Sequence, residues 1–439
     1  MRKKCSMKTK KTVSKKTNNI SMESYLIHGI FRTSKWDYDH NVVPPLSASV
    51  TYRLESVERG LSGFEHFIDE HSRRVRKRPT YVYDRLDEPT RSMLEERLAI
   101  VESGEIALCY ASGMAAISAA LMVSLKPGDE LLIHKTMYGC TFSLTSKWLP
   151  RYGIITKYID MLNLDELKAA LNPNVKAVYF ETPANPNMEL IDIEKVVSIV
   201  DKENAKRKRT HRIRTIVDNT FATPRCQRPL EFGVTMVVDS LTKNIGGFGT
   251  DMGGAVITSK KYEEELLMFR KDFGGVLGSR SAWHILVYGL PTLIERGNKQ
   301  QDSSYRIAAF LEKHPKVGKV MYPGLPSFPQ YEIAQKQMRD FDGNFAPGNM
   351  IYFTLKNDTE ESSNKLLGYI AKKAYSITLA VSLGHIRTLI EKPGSLSHAA
   401  VPEEIKRSAR IDPSGIRLSI GLENPDDIIA DFENALKVI

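Results

Sequence analysis

Two short apolar runs that each end abruptly on polar groups restrict this chain to few folds. Thr215-Ile216-Val217 runs into Asp218, and Thr235-Met236-Val237-Val238 runs into Asp239-Ser240-Leu241-Thr242-Lys243. Continuous apolar runs of this length suit strands buried on both faces, as in parallel sheets covered by helices. The carboxyl ends of such strands are where open α/β sheets bind ligands. The upstream sequence repeats the same alternation. Strands are predicted over Ile106–Tyr110, Leu131–His134, Ile154–Tyr158 and Val175–Glu181. A helix is predicted from Thr90, with Met93, Leu94, Leu98 and Val101 on one face. Further helices are predicted over Met114–Leu125, Leu164–Leu171 and Ile193–Lys202, the last with Asp192 as its N-cap. Strand–helix repetition of this kind predicts one large α/β domain with a mainly parallel sheet.

The pattern changes at Pro291. Long helices lead to Pro315, and a Pro/Gly-rich connector spans Pro323–Pro329. Strands over Met350–Leu355 and Arg417–Ile420 follow, and a closing helix carries Ile428, Ile429, Phe432 and Leu436. The chain is thus read as a basic tail over 1–22, a loop-rich arm over 23–87, a ligand-binding domain over 88–293 and a smaller C-terminal α/β domain over 294–439.

The net charge of +10 does not describe the folded part. Residues 1–19 hold eight Lys or Arg and no acid, which leaves 54 basic against 52 acidic residues elsewhere. The excess reads as a solvated, disordered tail, so no nucleic-acid partner is expected. No apolar run reaches the roughly 18 residues of a membrane span, so no membrane partner is expected either. Cys5, Cys109, Cys140 and Cys226 form no C-x-x-C pair. Neither a disulfide framework nor a metal site is expected, and a reducing, cytoplasmic setting fits best.

The polar strand ends carry specific chemistry. A lysine amine such as that of Lys243 bonds to carbonyl substrates and cofactors and then serves as acid and base. A carboxylate such as Asp218 keeps a pyridine nitrogen protonated, which suits pyridoxal phosphate. Ser240 and Thr242 offer hydroxyls to its phosphate. Ser112, Gly113 and Met114 lie between a strand and a helix, and read either as a plain turn or as a site where backbone N–H groups bind phosphate. Tyr138 stands just after a strand, and reads either as a ring packed in a loop or as one that stacks on the pyridine with its hydroxyl protonating a leaving group. Cys140 reads as a small group near that ring or as a buried filler. Arg417, polar between apolar neighbours, needs an anion: a substrate carboxylate or a structural partner. Tyr83 and Arg85 reach a phosphate only across a subunit boundary or by folding back; otherwise they form a surface charge cluster.

Taken together, Tyr-x-Arg at 83–85, Ser-Gly-Met at 112–114, Tyr-Gly at 138–139, Pro-Ala-Asn-Pro-Asn at 183–187, Val-Asp-Asn-Thr at 217–220, Ser-x-Thr-Lys at 240–243, Val-Ser-Leu-Gly at 381–384 and Arg-Leu-Ser-Ile-Gly-Leu-Glu at 417–423 resemble the Cys/Met-metabolism family of pyridoxal-phosphate enzymes. The similarity runs from about Ser24 to Leu436. It implies the type I fold of such enzymes, with Lys243 carrying the cofactor and Asp218 on its ring nitrogen. It also implies Ser112, Gly113, Met114, Ser240 and Thr242 on the phosphate, with Tyr83 and Arg85 reaching the phosphate of a neighbouring subunit. Ser382 and Arg417 would hold the substrate carboxylate, with Asn185 near the cofactor and Tyr138 stacking and acting as acid. The implied assembly is a homotetramer of catalytic dimers.

Cys140, in Tyr138-Gly139-Cys140-Thr141-Phe142, and Lys271, in Lys271-Asp272, are similar to the specificity positions of the branch that cleaves L-methionine. The expected reaction is γ-elimination from L-methionine or a related sulfur amino acid, giving a thiol, 2-oxobutanoate and ammonia. Cystathionine γ-lyase, cystathionine γ-synthase and O-acylhomoserine sulfhydrylase chemistry share the same core. Glu88, Asp239, Phe248 and Arg387 depart from the family's usual residues, the last two where substrate choice is decided.

Overall fold

The computed structural model describes residues 20–29, 41–68, 80–357, 359–399 and 401–439. Most of the basic tail therefore lies outside the described residues. Ser21 caps a helix at Met22–His28, inside the stretch read as tail and arm, and that helix buries Tyr25 and Leu26 in the main core.

The larger sheet has seven strands: β1 (Ile106–Tyr110), β2 (Glu130–His134), β3 (Ile155–Ile159), β4 (Val175–Glu181), β5 (Arg214–Asp218), β6 (Met236–Asp239) and β7 (Gly254–Thr258). Their spatial order is β1-β7-β6-β5-β4-β2-β3. The block β3-β2-β4-β5-β6 is parallel, and β7 runs antiparallel between β6 and β1. Strand alternation explains why the apolar runs lack polar residues. Leu132, Phe180, Val217, Val237 and Ile257 enter one core, while Ile133, Tyr179, Ile216, Val238 and Val256 enter another on the opposite face. The sequence reading missed β7, whose Gly254-Ala-Val-Ile-Thr follows a run of glycines and reads as loop.

A second sheet of five strands is built from β8 (Val317–Met321), β9 (Met350–Leu355), β10 (Ile377–Leu379), β11 (Thr388–Glu391) and β12 (Ile416–Ser419), in the order β10-β11-β12-β9-β8. Only β10 and β11 are parallel. Ile351, Phe353, Ile390, Ile416 and Leu418 face the helices Leu293–Lys313, Glu360–Lys373 and Pro425–Leu436. The period-2 alternation turns the intervening residues the other way. Met350 and Tyr352 accordingly pack with Leu383 against Met188, Leu190 and Phe221 of the large-sheet region. Arg417 and Glu391 share that inward face, directly opposite each other in the antiparallel β11–β12 register.

Candidate active site

The carboxyl ends of β4, β5 and β6 converge where the inward face of the small sheet meets them. Lys243 lies in the turn after β6. Gly384 fixes its distance from the second sheet: a Cβ there would stand 2.3 Å from the Asn244 nitrogen and 2.8 Å from the Lys243 carbonyl carbon. This close approach brings Ser382 over the lysine, and Lys243 Nζ donates to Ser382 Oγ at 2.7 Å. Ser382 is held at φ +85°, a left-handed conformation rare for a side-chain-bearing residue. Burial, followed by the neighbouring Arg417 charge, pushes the Lys243 amine down to about 8. A larger fraction of this amine is thus neutral and nucleophilic near physiological pH than for an ordinary lysine.

Arg417 is 3% exposed. It donates from Nη1 to Asn185 Oδ1 at 2.8 Å and from Nη2 to the Ser382 carbonyl at 2.9 Å. Nη2 also lies 2.8 Å from Glu391 Oε1. Ser382, expected beside the substrate carboxylate, and Asn185, expected near the cofactor, therefore meet on this guanidinium.

Asp218 ends β5 and accepts from the Tyr179 hydroxyl at 3.2 Å and from the Thr220 nitrogen at 3.0 Å. Burial lifts its carboxyl above the usual range. Beside it, paired across β4–β5, is Glu181, pushed up to about 8 by burial and then by Asp218. Glu181 accepts from the Tyr138 nitrogen at 2.7 Å and from the Asn185 nitrogen at 3.3 Å. One buried carboxyl thus ties the Tyr138 loop to the Asn185 loop. The sequence reading missed it, because a lone acid at a strand end carries no motif. Tyr138 precedes a short helix, Gly139–Ser143. Burial, then Cys140, hold its hydroxyl above the usual range, so it remains a proton donor. Gly139 lets the 397–398 backbone close on that loop, since a Cβ there would lie 2.4 Å from the Ser397 carbonyl oxygen. His398, buried and pushed down to about 4 by burial and then by Arg417, donates from Nε2 to the Met137 carbonyl at 3.1 Å.

Ser112 caps the helix Gly113–Met122 by accepting from the Ala115 nitrogen. Its first turn abuts the residues after β6: a Cβ on Gly113 would stand 2.9 Å from Ser240 Cβ. Gly254 supports the turn from below, where a Cβ would lie 2.2 Å from the Ser112 carbonyl oxygen. Ser112, Gly113, Met114 and Ser240 thus share one half-open cradle, the form a phosphate needs at a helix N-terminus. Thr242 stands beside it, with its hydroxyl 3.2 Å from the Gly253 carbonyl oxygen and 3.1 Å from the Gly253 nitrogen. A half-buried amine, a half-buried carboxyl and a glycine-lined cradle, all at strand ends, fit pyridoxal phosphate.

Tyr83, Arg85 and Lys271 gather elsewhere. They line a recess of about 450 Å³ with Phe64, Val82, Leu86 and Asp272. Arg85 packs against the Tyr83 ring and donates to the Lys271 carbonyl, and Lys271 pairs with Asp272 at 3.3 Å. Within one chain these residues form their own cluster and make no direct contact with Lys243. Cys140 is exposed, which removes the reading of it as a buried filler.

The departures have local explanations. Glu88 caps the helix Pro89–Val101, accepting from the Thr90 and Arg91 nitrogens. Phe248 lies on the Arg296 guanidinium, 5.5 Å from ring centroid to Cζ. Arg387 is exposed. Asp239 is fully buried against Glu102, and among the described residues neither Asp239 oxygen nor Glu102 Oε2 has a conventional donor. Only a proton held between the two carboxyls relieves them. Burial and the second acid push Asp239 well up, and burial pushes Glu102 up to about 7. The folded state therefore keeps protons that an unfolded chain releases near pH 4, and this pair costs stability as pH rises through about 7.

Comparisons with known proteins agree with this geometry. The large mainly parallel sheet with a second, smaller sheet is the type I fold of pyridoxal-phosphate enzymes. The family described as Cys/Met metabolism PLP-dependent enzymes matches residues 24–437, and the chain belongs to it. It is 40% identical over 397 residues to an L-methionine gamma-lyase of Fusobacterium nucleatum subsp. polymorphum, covering 90% of this chain and 93% of that one. It is 38% identical over 358 residues to a cystathionine beta-lyase of Lactococcus lactis subsp. cremoris, covering 81% and 88%. The crystal structure of cystathionine gamma-lyase from Lactobacillus plantarum complexed with L-serine superposes with a TM-score of 0.81 at 30% identity, covering 96% of this chain and 99% of that one.

Two outcomes test the site. Asp239→Asn should stabilise the protein by about 1–3 kcal/mol at pH 8.5 and by clearly less at pH 5, as read by denaturant unfolding. Equal destabilisation at both pH values would contradict the shared proton. Gly254→Ala should weaken cofactor binding by at least about tenfold with the circular dichroism spectrum unchanged. Unaltered affinity would exclude the cradle.

Proposed function

We propose that this protein is a pyridoxal-phosphate-dependent carbon–sulfur lyase that performs γ-elimination on L-methionine or a closely related sulfur amino acid. The observation that carries the reading is the meeting of Lys243, Ser382, Asn185 and Arg417 through one chain of hydrogen bonds. The 40% identity to an L-methionine gamma-lyase supports the choice of substrate.

In this reading Lys243 holds the cofactor, Asp218 faces its ring nitrogen, and Ser112, Gly113, Met114, Ser240 and Thr242 hold its phosphate. When bound, pyridoxal phosphate supplies the electron sink for the charge left by a departing α-proton. Arg417 and Ser382 orient the substrate carboxylate, with Asn185 bracing the guanidinium. The Lys243 amine, with its depressed basicity, takes the α-proton and carries protons between neighbouring carbons. Tyr138, kept protonated, donates to the departing sulfur. Cys140 and Lys271 belong to the specificity elements, and Tyr83, Arg85 and Lys271 act on the site of a neighbouring subunit in a catalytic dimer, two of which form a tetramer.

A second reading keeps the cofactor and changes the substrate to cystathionine, supported by the Lactococcus relative and the Lactobacillus structure. Incubating the cofactor-loaded protein with L-methionine alone separates the two. Methanethiol, 2-oxobutanoate and ammonia should appear in equal amounts. No products from methionine, with turnover of cystathionine, would transfer the assignment. Arg417→Ala should cost about 3 kcal/mol in kcat/KM, roughly a hundredfold, and a near-normal value would remove Arg417 from the binding set.

A further inference from the structure

Arg417 is already neutralised before any substrate arrives. Its Nη2 donates to the Ser382 carbonyl and lies 2.8 Å from Glu391 Oε1 as a close ion pair. Nη1 gives one proton to Asn185. An incoming carboxylate meets a guanidinium whose charge already faces Glu391 and two of whose N–H groups are already given to Asn185 and Ser382. Glu391 is 1% exposed and stands opposite Arg417 by strand register. Among the described residues, the Ser397 hydroxyl donates to Glu391 Oε1 at 2.8 Å, and Glu391 Oε2 is buried without a donor.

We propose that Glu391 is the resident counter-ion of Arg417 and the residue that sets how tightly this site takes an α-carboxylate. The inference rests on the reading of the pocket as an amino-acid carboxylate site. In the free enzyme Glu391 offsets the cost of burying a guanidinium. In the complex it is a like charge beside the substrate carboxylate in a medium of low dielectric. The site therefore gives up affinity to keep its arginine in place. Glu391 is a positioning and specificity residue, acting on substrate through Arg417.

The test uses the cofactor-loaded enzyme and L-alanine, which has the α-carboxylate but no sulfur to eliminate. Affinity is read from the ligand-dependent rise in unfolding temperature, so it stays interpretable even if methionine is not turned over. Glu391→Gln keeps the shape and removes the charge. It should bind L-alanine at least about fivefold tighter, about 1 kcal/mol, while unfolding at a lower temperature than the parent without ligand. Ser397→Ala should act oppositely, because Glu391 then relies on Arg417 alone, and L-alanine binding should weaken. Unchanged or weaker binding in Glu391→Gln, or shifts of the same sign in both variants, would overturn the proposal. If Glu391→Gln fails to fold, tighter or unchanged binding in Ser397→Ala overturns it alone.

Discussion

The burial of one lysine amine beside one buried arginine is the constraint on which the site depends. Two cations in a low-dielectric pocket repel, and each pays for lost hydration. The chain meets this by lowering the Lys243 amine to about 8 and by placing Glu391 against Arg417. The two sheets cooperate in it. Lys243 comes from the turn after β6 of the large sheet, whereas Arg417 and Glu391 come from the inward face of the small one. Gly384, at φ +71°, and the strained Ser382 allow the backbones to approach closely enough for the Nζ–Oγ contact.

The anionic side of the site follows the same logic. Asp218, Glu181, Asp239 and Glu102 are all buried with raised carboxyls. They divide into three kinds. Glu181 is committed to backbone N–H groups and joins two loops, while Asp239 and Glu102 are committed to each other below the sheet end. Asp218 has a tyrosine hydroxyl and one backbone nitrogen, and it retains capacity to meet a cation such as a protonated ring nitrogen.

Much of this was legible in the sequence, for a physical reason. Strands buried on both faces tolerate no polar residue until they end, so Asp218 and Lys243 stand out against Val217 and Val238. Arg417 was legible for the same reason, as a charge between Ile416 and Leu418. Glu391 follows Thr388-Leu389-Ile390 with no comparable signal, and its meaning appears only when β11 pairs with β12 in register. Glu181 is equally silent until the Tyr138 and Asn185 loops fold onto it. The Arg85–Lys271 contact joins residues 186 positions apart, and no local pattern announces it. The glycines of the turn before β7 concealed the one antiparallel strand of the large sheet.

The most direct test of the central claim is to reduce the cofactor-loaded protein with borohydride and locate the added cofactor mass by peptide mapping. The account requires that mass on the peptide containing Lys243, with none retained in Lys243→Ala. Attachment at another lysine, or retention by Lys243→Ala, would contradict it.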